Sequence, residues 1–205
     1  DPVLQQVEHF NNPGITANDA FKPVTRYFDR ITRPEQIIQS FPNAVQTMLD
    51  PADCGPACIS LCQDIQGQTF DYPEEFFKER IHSIRRPRPD DFQIKEAAEK
   101  IKKSKNPIII SGGGVFYSNA MEELSNFAIK HNIPVTQTVM GYSTMKRDHS
   151  HYAGQIGGLG GKNTNELAKE TDLAIAVGTK LADFTTGSWA NFENENFKLL
   201  SINVS

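Results

Sequence analysis

The chain has 205 residues, a hydrophobic fraction of 38% and a charged fraction of 22%, which are typical of an ordinary globular protein. A net charge of −4 and an isoelectric point near 5.7 exclude a general attraction for nucleic acid or for an anionic membrane. No apolar run is long enough to span a bilayer, and the first ten residues, "DPVLQQVEHF", lack the features of a secretory signal. Because the sequence starts without Met and stops inside a predicted strand, we expect a piece of a longer protein.

Three cysteines, Cys54, Cys58 and Cys62, follow one another at spacings of four residues. An odd, clustered set without a secretory signal argues against a disulfide framework and indicates a reducing, cytoplasmic location. Neither the C-x-x-C pairs of zinc sites nor a nearby histidine supports a zinc or iron–sulfur site. We therefore expect Cys58 and Cys62 to share one face of a strand as small buried hydrophobic residues.

The first eighty residues contain two predicted strands and two predicted helices. The segment "KPVTRYF" (22–28) alternates as a strand does, and "RPEQIIQSFPNAVQTMLD" (33–50) has helical apolar spacing, although Pro42 should kink or break that helix. "GPACISLCQDI" predicts a buried strand that ends at Asp64, and "YPEEFFKER" (72–80) predicts a short helix. Two strands are too few for a stable sheet, so this part should need partners that the chain lacks.

We predict a linker over residues 81–91, around the sequence "HSIRRPRPDD". Its prolines and its lack of apolar periodicity disfavour a helix, because each residue before a proline avoids helical backbone angles. The linker separates a first domain over residues 1–80 from a second domain over residues 92–205. A solvated connector is one interpretation of its basic residues and an anion site is the other; these residues are Arg85, Arg86 and Arg88.

After the linker, helices and strands alternate regularly. Asp91 is the predicted cap of one helix, and Asn119, with a glutamate three residues on, resembles a capping-box start for the next. Strands that alternate with helices predict the α/β class, here a doubly wound, Rossmann-like parallel sheet with helices on both faces. The predicted strands lie near residues 107–111, 134–138, 172–177 and 198–203.

Glycine-bearing turns are predicted at the carboxyl ends of these strands, where ligands bind in parallel α/β sheets. A phosphate site is one interpretation, since backbone N–H groups at a helix start can hold a phosphate and glycine lets it approach closely. Tight turns without a ligand are the other, because neither the G-x-G-x-x-G nor the G-x-x-x-x-G-K-[ST] spacing is present. Further glycines occur at Gly141 and in "GQIGGLGGKN" (154–163). The candidate cofactor-binding residues are Gly112, Gly113, Gly114, Gly178, Thr179 and Lys180.

Two other segments carry reactive or aromatic side chains. "DHSHY" places His149 and His151 two residues apart, but no third metal ligand is evident and a polar loop suits them better. "TDLAIAVGTKLADFTTGSW" continues from a buried strand into a loop with Asp183 and Trp189, which could cover a nucleotide or line a subunit interface. No nucleophile stands beside a base and no carboxylate pair has a cleft, so we assign no catalytic and no metal-binding residue.

The order "RPEQ…GPACISLCQDIQG", linker, "NPIIISGGGV", "IPVTQT", "G…GGLGG", "DLAIAVGTKLADFTTGSW", "LLSINV" resembles thiamine-diphosphate-dependent enzymes of the acetohydroxyacid synthase type. The resemblance implies that residues 1–80 are the C-terminal part of a pyrimidine-binding α/β domain. It also implies that residues 92–205 are a truncated central domain of the DHS-like NAD/FAD-binding type. Within the family, "GPACISLCQDIQGQTFDYPEEFF" is most similar to the trihydroxycyclohexanedione hydrolases of myo-inositol catabolism, also named malonic semialdehyde oxidative decarboxylases. Many family members have Pro at the position of Cys62.

For the whole protein, the resemblance implies thiamine diphosphate and Mg²⁺ as cofactors and cleavage of a C–C bond of a cyclic diketone with net addition of water. A thiamine-diphosphate-dependent decarboxylase or synthase acting on a 2-oxoacid or malonic semialdehyde is one alternative, and a stand-alone nucleotide-binding module is another. The activating glutamate and the G-D-G…N motif of the family have no match here, so we expect this fragment to be inactive. The resemblance further implies FAD or ADP as ligands that the central domain of some relatives holds. It also implies a small-molecule substrate, a homodimer or homotetramer, no nucleic-acid or membrane partner, and a cytoplasmic location.

Overall fold

The computed structural model describes residue 11 and residues 15–204. The chain divides into two compact units, and the division falls between Pro87 and Arg88, inside the segment predicted as a linker. Residues 78–90 form neither helix nor strand. In the part of the chain that the structure describes, no helix combines the length and the apolar character that crossing a bilayer requires.

The first unit contains a two-stranded parallel sheet and one long helix. Strand β1 (Tyr27–Ile31) pairs in parallel with strand β2 (Ala57–Leu61), and helix α1 (Ile37–Met48) connects them. A short helix α2 (Gln63–Gln66) follows β2. The described residues of this unit also form 3-10 helices at Ala17–Val24, Pro34–Gln36 and Glu74–Phe77.

The core of the first unit is small. Ile31 at the end of β1 is buried with Cys62 and Ile65, and Ile37 and Ile59 pack against them. One side of a two-stranded sheet cannot bury many side chains, so this unit exposes several large apolar residues. They include Phe41, Met48, Leu61 and Phe77.

The prediction of a strand over residues 22–28 is wrong. A 3-10 helix occupies Ala17–Val24, and β1 begins only at Tyr27. Pro23 has no N–H to donate to a neighbouring strand, whereas its fixed φ suits a helical turn. The extended backbone of β1 therefore starts after it.

The segment with the cysteines also differs from the prediction. β2 ends at Leu61 rather than at Asp64, because Cys62 becomes the N-cap of α2. Cys62 is fully buried as predicted, but it does not share a strand face with the half-buried Cys58. Cys54 is exposed. Cys58 and Cys62 were both predicted to be buried hydrophobic residues. Only Cys62 is buried in the structure.

The two helices predicted in the first unit are present with altered bounds. Helix α1 runs without interruption from Ile37 to Met48, so Pro42 does not break it. A proline inside a helix loses its own N–H bond and crowds the carbonyl group of residue i−4. The helix nevertheless continues past Pro42, and Ser40 and Ala44 on either side of it are buried. The helix predicted over residues 72–80 is a single 3-10 turn at Glu74–Phe77.

The second unit is a parallel sheet with helices on both faces. Its strands are β3 (Pro107–Ser111), β4 (Val135–Gln137), β5 (Tyr152–Gln155), β6 (Leu173–Val177) and β7 (Lys198–Ile202). Its helices are α3 (Asp91–Lys103), α4 (Gly113–Tyr117), α5 (Met121–His131), α6 (Lys162–Glu170) and α7 (Asp183–Thr186), with a 3-10 helix at Val139–Gly141. The strand order is β5–β4–β3–β6–β7, and every neighbouring pair is parallel.

The order of the strands is the doubly wound order. The chain runs outward from β3 to β5 and then returns to the other side of β3 with β6 and β7. The α/β prediction and its four strands are therefore confirmed. The prediction missed β5, whose sequence "YAGQ" has no β-branched residue and contains Gly154 at a φ of 105°.

The residues of the central strand β3 alternate between two apolar layers. Ile109 packs with Leu124 of α5, whereas Ile108 and Ile110 pack with Ala168 of α6. All of them are buried. Because β3 is covered on both faces, its sequence is a continuous apolar run rather than an alternating one.

Both predicted helix starts need correction. Asp90, rather than Asp91, caps α3, and its carboxylate accepts a hydrogen bond from the Gln93 N–H at 2.8 Å. Asn119 caps no helix: it lies at a φ of 55° in the turn after α4, and α5 begins at Met121. Helix α4 was not expected, since two of its five residues are glycines, which are poor helix formers.

Candidate functional site at the carboxyl edge of the sheet

The turns that follow β3 and β6 contact each other directly at the carboxyl edge of the sheet. The N–H of Gly112 donates to the Val177 carbonyl oxygen, and the N–H of Gly114 donates to the Gly178 carbonyl oxygen, each at 2.9 Å. The two predicted groups of candidate residues, 112–114 and 178–180, therefore lie beside each other. The two turns were expected to lie close together because the carboxyl ends of parallel strands meet at one edge of the sheet.

The contact between the two turns needs glycine. A Cβ atom on Gly112 would lie 2.4 Å from the Cβ of Thr179, and one on Gly114 would lie 2.6 Å from the Cα of Gly178. Gly178 has a φ of 60°, in the left-handed region that favours glycine. Backbone atoms cannot move aside as the end of a side chain can. These glycines therefore serve the close packing of one turn on the other.

The contact between the two turns occupies backbone N–H groups that would have to be free to bind a phosphate. Gly112 and Gly114 already donate within the chain, which leaves Gly113 as the member of the triplet whose N–H has no acceptor among the described residues. Lys180 is exposed to solvent. A cradle of three N–H groups does not fit this geometry. The assignment of these residues to a cofactor stays a prediction, and it depends on the Gly113 N–H and the Lys180 ammonium.

A buried polar network fixes the turn after β4. Thr144 Oγ1 donates to the Gly141 carbonyl oxygen at 2.7 Å, accepts from Gln137 Nε2 at 3.2 Å and bonds with Ser111 Oγ at 2.6 Å. The Gly141 N–H donates to Thr138 Oγ1 at 3.0 Å. All five residues are buried. The sequence indicated the turn at Gly141 but not its partners. The signal for two of them, Ser111 and Gln137, is a polar residue at the end of a buried strand.

The glycine-rich segment 154–163 is also held by the protein itself. Asn165 of α6 accepts from the Gly157 N–H at 3.0 Å and donates to the Gly157 carbonyl oxygen at 3.1 Å. The Gly158 N–H donates to the Phe184 carbonyl oxygen at 2.9 Å. A Cβ on Gly157 would lie 2.3 Å from that same oxygen. These glycines therefore pack against α7.

The loop after α7 has an unusual backbone. Gly187, Ser188 and Trp189 have φ values of 57°, 57° and 66°, and the left-handed region is unfavourable for the two that are not glycine. Two hydrogen bonds support them: Trp189 N–H donates to the buried Thr186 hydroxyl at 3.1 Å, and Ser188 N–H donates to the Asp183 carbonyl oxygen at 3.1 Å. The Trp189 side chain is 50% exposed. Its role at a ligand or an interface stays a prediction.

The two histidines lie in the turn before β5, as expected of a polar loop. The His151 N–H donates to His149 Nδ1 at 3.1 Å, so the proton of a neutral His149 is on Nε2, which donates to Ser125 Oγ at 2.9 Å. In this tautomer the His149 Nε2 carries a hydrogen, so it donates to the Ser125 hydroxyl instead of acting as a base toward it. His151 Nε2 bonds with Asn132 Oδ1 at 3.0 Å. Across residues 15–204, no three His, Cys, Asp or Glu side chains are grouped so that they could hold a metal ion.

Asp172 lies at the opposite, amino edge of the sheet, where it ties the turn before β3 to the start of β6. Burial acts to raise the pKa of Asp172. Hydrogen bonds from the Lys105 N–H at 2.8 Å, the Ser104 hydroxyl and the Asn106 N–H at 3.0 Å outweigh that effect and lower the pKa below its usual value. The carboxylate therefore has a structural role.

Comparison with known proteins agrees with this geometry. Residues 94–205, more than half of the chain, match the family described as "Thiamine pyrophosphate enzyme, central domain". The chain belongs to the thiamine pyrophosphate enzyme family. The family predicted from the order of the sequence motifs is thus confirmed, and the five-stranded sheet is that of the central domain of a thiamine pyrophosphate enzyme.

Curated relatives of this thiamine pyrophosphate enzyme chain extend the similarity to the first unit. The chain is 49% identical over 205 residues to 3D-(3,5/4)-trihydroxycyclohexane-1,2-dione hydrolase from Clostridium perfringens (strain 13 / Type A). It is 45% identical over the same length to the protein of that name from Shouchella clausii (strain KSM-K16). Each alignment covers 100% of this chain and 32% of the relative, so the chain spans about a third of the length of the relatives it matches. The predicted similarity to these hydrolases is confirmed.

A solved structure shares the fold of this chain. The crystal structure of benzoylformate decarboxylase from Polynucleobacter necessarius superposes with a TM-score of 0.72 and 23% sequence identity. The match covers 95% of this chain and 36% of that chain. At this identity the similarity concerns the fold alone.

Proposed function

We propose that this chain is part of a thiamine-diphosphate-dependent enzyme that opens a cyclic diketone by cleaving a C–C bond, as a 3D-(3,5/4)-trihydroxycyclohexane-1,2-dione hydrolase. The observation that carries the proposal is the 49% identity over all 205 residues, which includes both units and the segment between them. A decarboxylase acting on a 2-oxoacid has less support, because the decarboxylase with a similar structure is only 23% identical.

The residues of this chain do not fit a thiamine diphosphate site. The carboxyl edge offers one glycine N–H, at Gly113, and the exposed Lys180 as possible contacts for a phosphate. The activating glutamate and the G-D-G…N motif of the family have no match in the sequence. We therefore propose that other parts of the protein hold the cofactor and Mg²⁺, and that the chain alone has no turnover. Bound elsewhere, the cofactor would supply the electron sink that C–C cleavage needs.

The part that this chain plays would be structural. Glycine contacts at residues 112–114 and 178–180 and the buried network around Thr144 give the central domain a rigid carboxyl edge. Such an edge would support neighbouring parts of a cytoplasmic homodimer or homotetramer that acts on a small-molecule substrate. Rigid supporting elements place reacting groups more accurately than mobile loops do.

A competition between substrates tests the proposal. The full-length protein that contains this sequence would be supplied with thiamine diphosphate, Mg²⁺ and, in separate reactions, the trihydroxycyclohexanedione, a 2-oxoacid and malonic semialdehyde. The proposal expects consumption of the dione, measured by loss of its absorbance, and little turnover of the other two. Turnover of a 2-oxoacid or of malonic semialdehyde without turnover of the dione would favour the alternative within the family.

A further inference from the structure

The first unit carries a solvent-open cleft at the amino edge of its sheet, between the start of β1 and the end of α1. Its volume is about 340 Å³, near the lower limit of the range for small-molecule sites, which is about 300–1,000 Å³. Arg26 and Tyr27 line the cleft from the strand side, and three residues of α1 line it from the helix side. A cleft of this volume holds a single ring more readily than a nucleotide.

The three residues on the helix side are polar and share one face of α1. Asn43, Gln46 and Thr47 are three and four positions apart, the spacing that places side chains next to each other on a helix. The Thr47 hydroxyl donates to the Asn43 carbonyl oxygen at 3.0 Å. The side-chain amides of Asn43 and Gln46 form no hydrogen bond with any residue that the structure describes. Each amide can therefore both donate to a ligand and accept from it.

On the strand side, a glycine leaves room for the Arg26 side chain. A Cβ atom on Gly55 would overlap the Arg26 Cγ, so the stem of the arginine can take this path only where the neighbouring residue has no side chain. Arg26 Nε forms an ion pair with Asp53 Oδ1 at 3.4 Å. The guanidinium has five N–H donors, and this pair uses only the one on Nε. Donors on its two terminal nitrogens are left for a ligand.

Asp50 adds an ionised acceptor to the cleft. Its Oδ1 accepts the Asp53 N–H at 2.7 Å and the Ala52 N–H at 2.8 Å, and these two bonds hold the pKa of the Asp50 carboxyl below its usual value. Across the described part of the chain, no donor reaches Asp50 Oδ2. One oxygen of this carboxylate therefore fixes the loop, and the other can accept from a ligand.

We propose that this cleft binds a neutral, polyhydroxylated ring of monosaccharide size. A hydroxyl group both donates and accepts, so a ring of hydroxyls can pair with carboxylate, amide and guanidinium groups alike. The carboxylates of Asp50 and Asp53 outnumber the single guanidinium of Arg26, which disfavours an anion. A metal ion fits less well, because the described residues place no third carboxylate or histidine beside these two. This inference does not depend on the proposed function.

Equilibrium dialysis of the full-length protein with radiolabelled D-glucose and, separately, myo-inositol tests the proposal. At least one of the two should be retained with a dissociation constant of about 1 mM, as expected for a small polar ligand in an open cleft. The double variant Asn43→Ala/Gln46→Ala removes both free amides and should weaken that retention about tenfold or more. Alanine is the best helix former, so α1 should persist in this variant, which circular dichroism would verify.

Two matched controls accompany the double variant. Gln39→Ala changes an exposed amide of α1 that does not line the cleft, and it should bind as the wild type does. D-glucuronate differs from D-glucose by a carboxylate and should be retained less, because Asp50 and Asp53 repel it. Retention of neither neutral ring at about 10 mM ligand would overturn the proposal. Retention that Asn43→Ala/Gln46→Ala leaves unchanged, or that D-glucuronate equals, would overturn it as well.

Discussion

Gly178→Ala should strongly destabilise the second unit, because it violates both a distance and a backbone angle. The new Cβ would lie 2.7 Å from three backbone atoms, which belong to Gly114 and Val115, and the residue would keep a φ of 60°. A non-glycine residue in the left-handed region costs about 1–2 kcal/mol. Overpacking against fixed atoms costs about 1–3 kcal/mol. We expect the free energy of unfolding to fall by about 2–5 kcal/mol.

Urea unfolding followed by circular dichroism measures this loss, and Gly161→Ala is the matched control. Gly161 caps α6 with a φ of −71°, and the nearest atom to its added Cβ is Thr164 Oγ1 at 3.8 Å. The control should lose less than about 1 kcal/mol, as expected for a change at an N-cap. If Gly178→Ala were no more costly than Gly161→Ala, the turns after β3 and β6 would not be packed as described, and the argument against a phosphate cradle would fail with them.

Further predictions address the network, the amino edge, the glycine turn and the linker. Thr144→Val leaves the partners of a buried hydroxyl unsatisfied and should lower the free energy of unfolding by about 2–4 kcal/mol in the same urea assay; a loss below about 1 kcal/mol would contradict the network. Asp172→Asn should cost about 1–2 kcal/mol at pH 7. Because the pKa of Asp172 is lowered in the folded chain, its contribution is present above the unfolded pKa of about 3.9 and is lost as the pH falls through the folded pKa. The difference between the two proteins should therefore vanish in acid, and a difference independent of pH would refute this. If ADP or FAD binds through the Gly113 N–H, equilibrium dialysis should detect retention by the wild type and much less by Gly113→Pro, since proline is tolerated at the first position of a helix but has no N–H. In dilute solution, trypsin should first cut within residues 81–91 and release a stable fragment that contains the second unit; first cuts elsewhere would contradict the predicted linker.

Most parallel strands of the second unit could be predicted because strands buried on both faces have a recognisable apolar sequence pattern. "PIIIS" and "LAIAV" are continuous apolar runs, which strands covered on both faces require. β5 could not be found in this way. Its residues are all only half-buried, and Gly154 weakens the pattern further. Pairing with β4, from Val135 to Gln137, makes it a strand, and pairing is a tertiary property.

The location of the candidate site was predictable, but the use of its glycines was not. Residues 112–114 and 178–180 follow strands of one parallel sheet, so their position at one edge follows from topology. Which N–H groups remain for a ligand depends on contacts between turns more than sixty residues apart. Sequence spacing carries no information about such contacts. The acceptors at Val177 and Gly178 are backbone carbonyl oxygens, which every residue type provides.

The most direct test of the proposed function compares the full-length protein with this chain in one assay. Both would be mixed with thiamine diphosphate, Mg²⁺ and 3D-(3,5/4)-trihydroxycyclohexane-1,2-dione, and the ring-opened product would be measured by mass spectrometry. We expect product from the full-length protein only when the cofactor is present, and none from the chain alone. Product from the isolated chain, or a full-length protein that forms none with saturating cofactor, would contradict it.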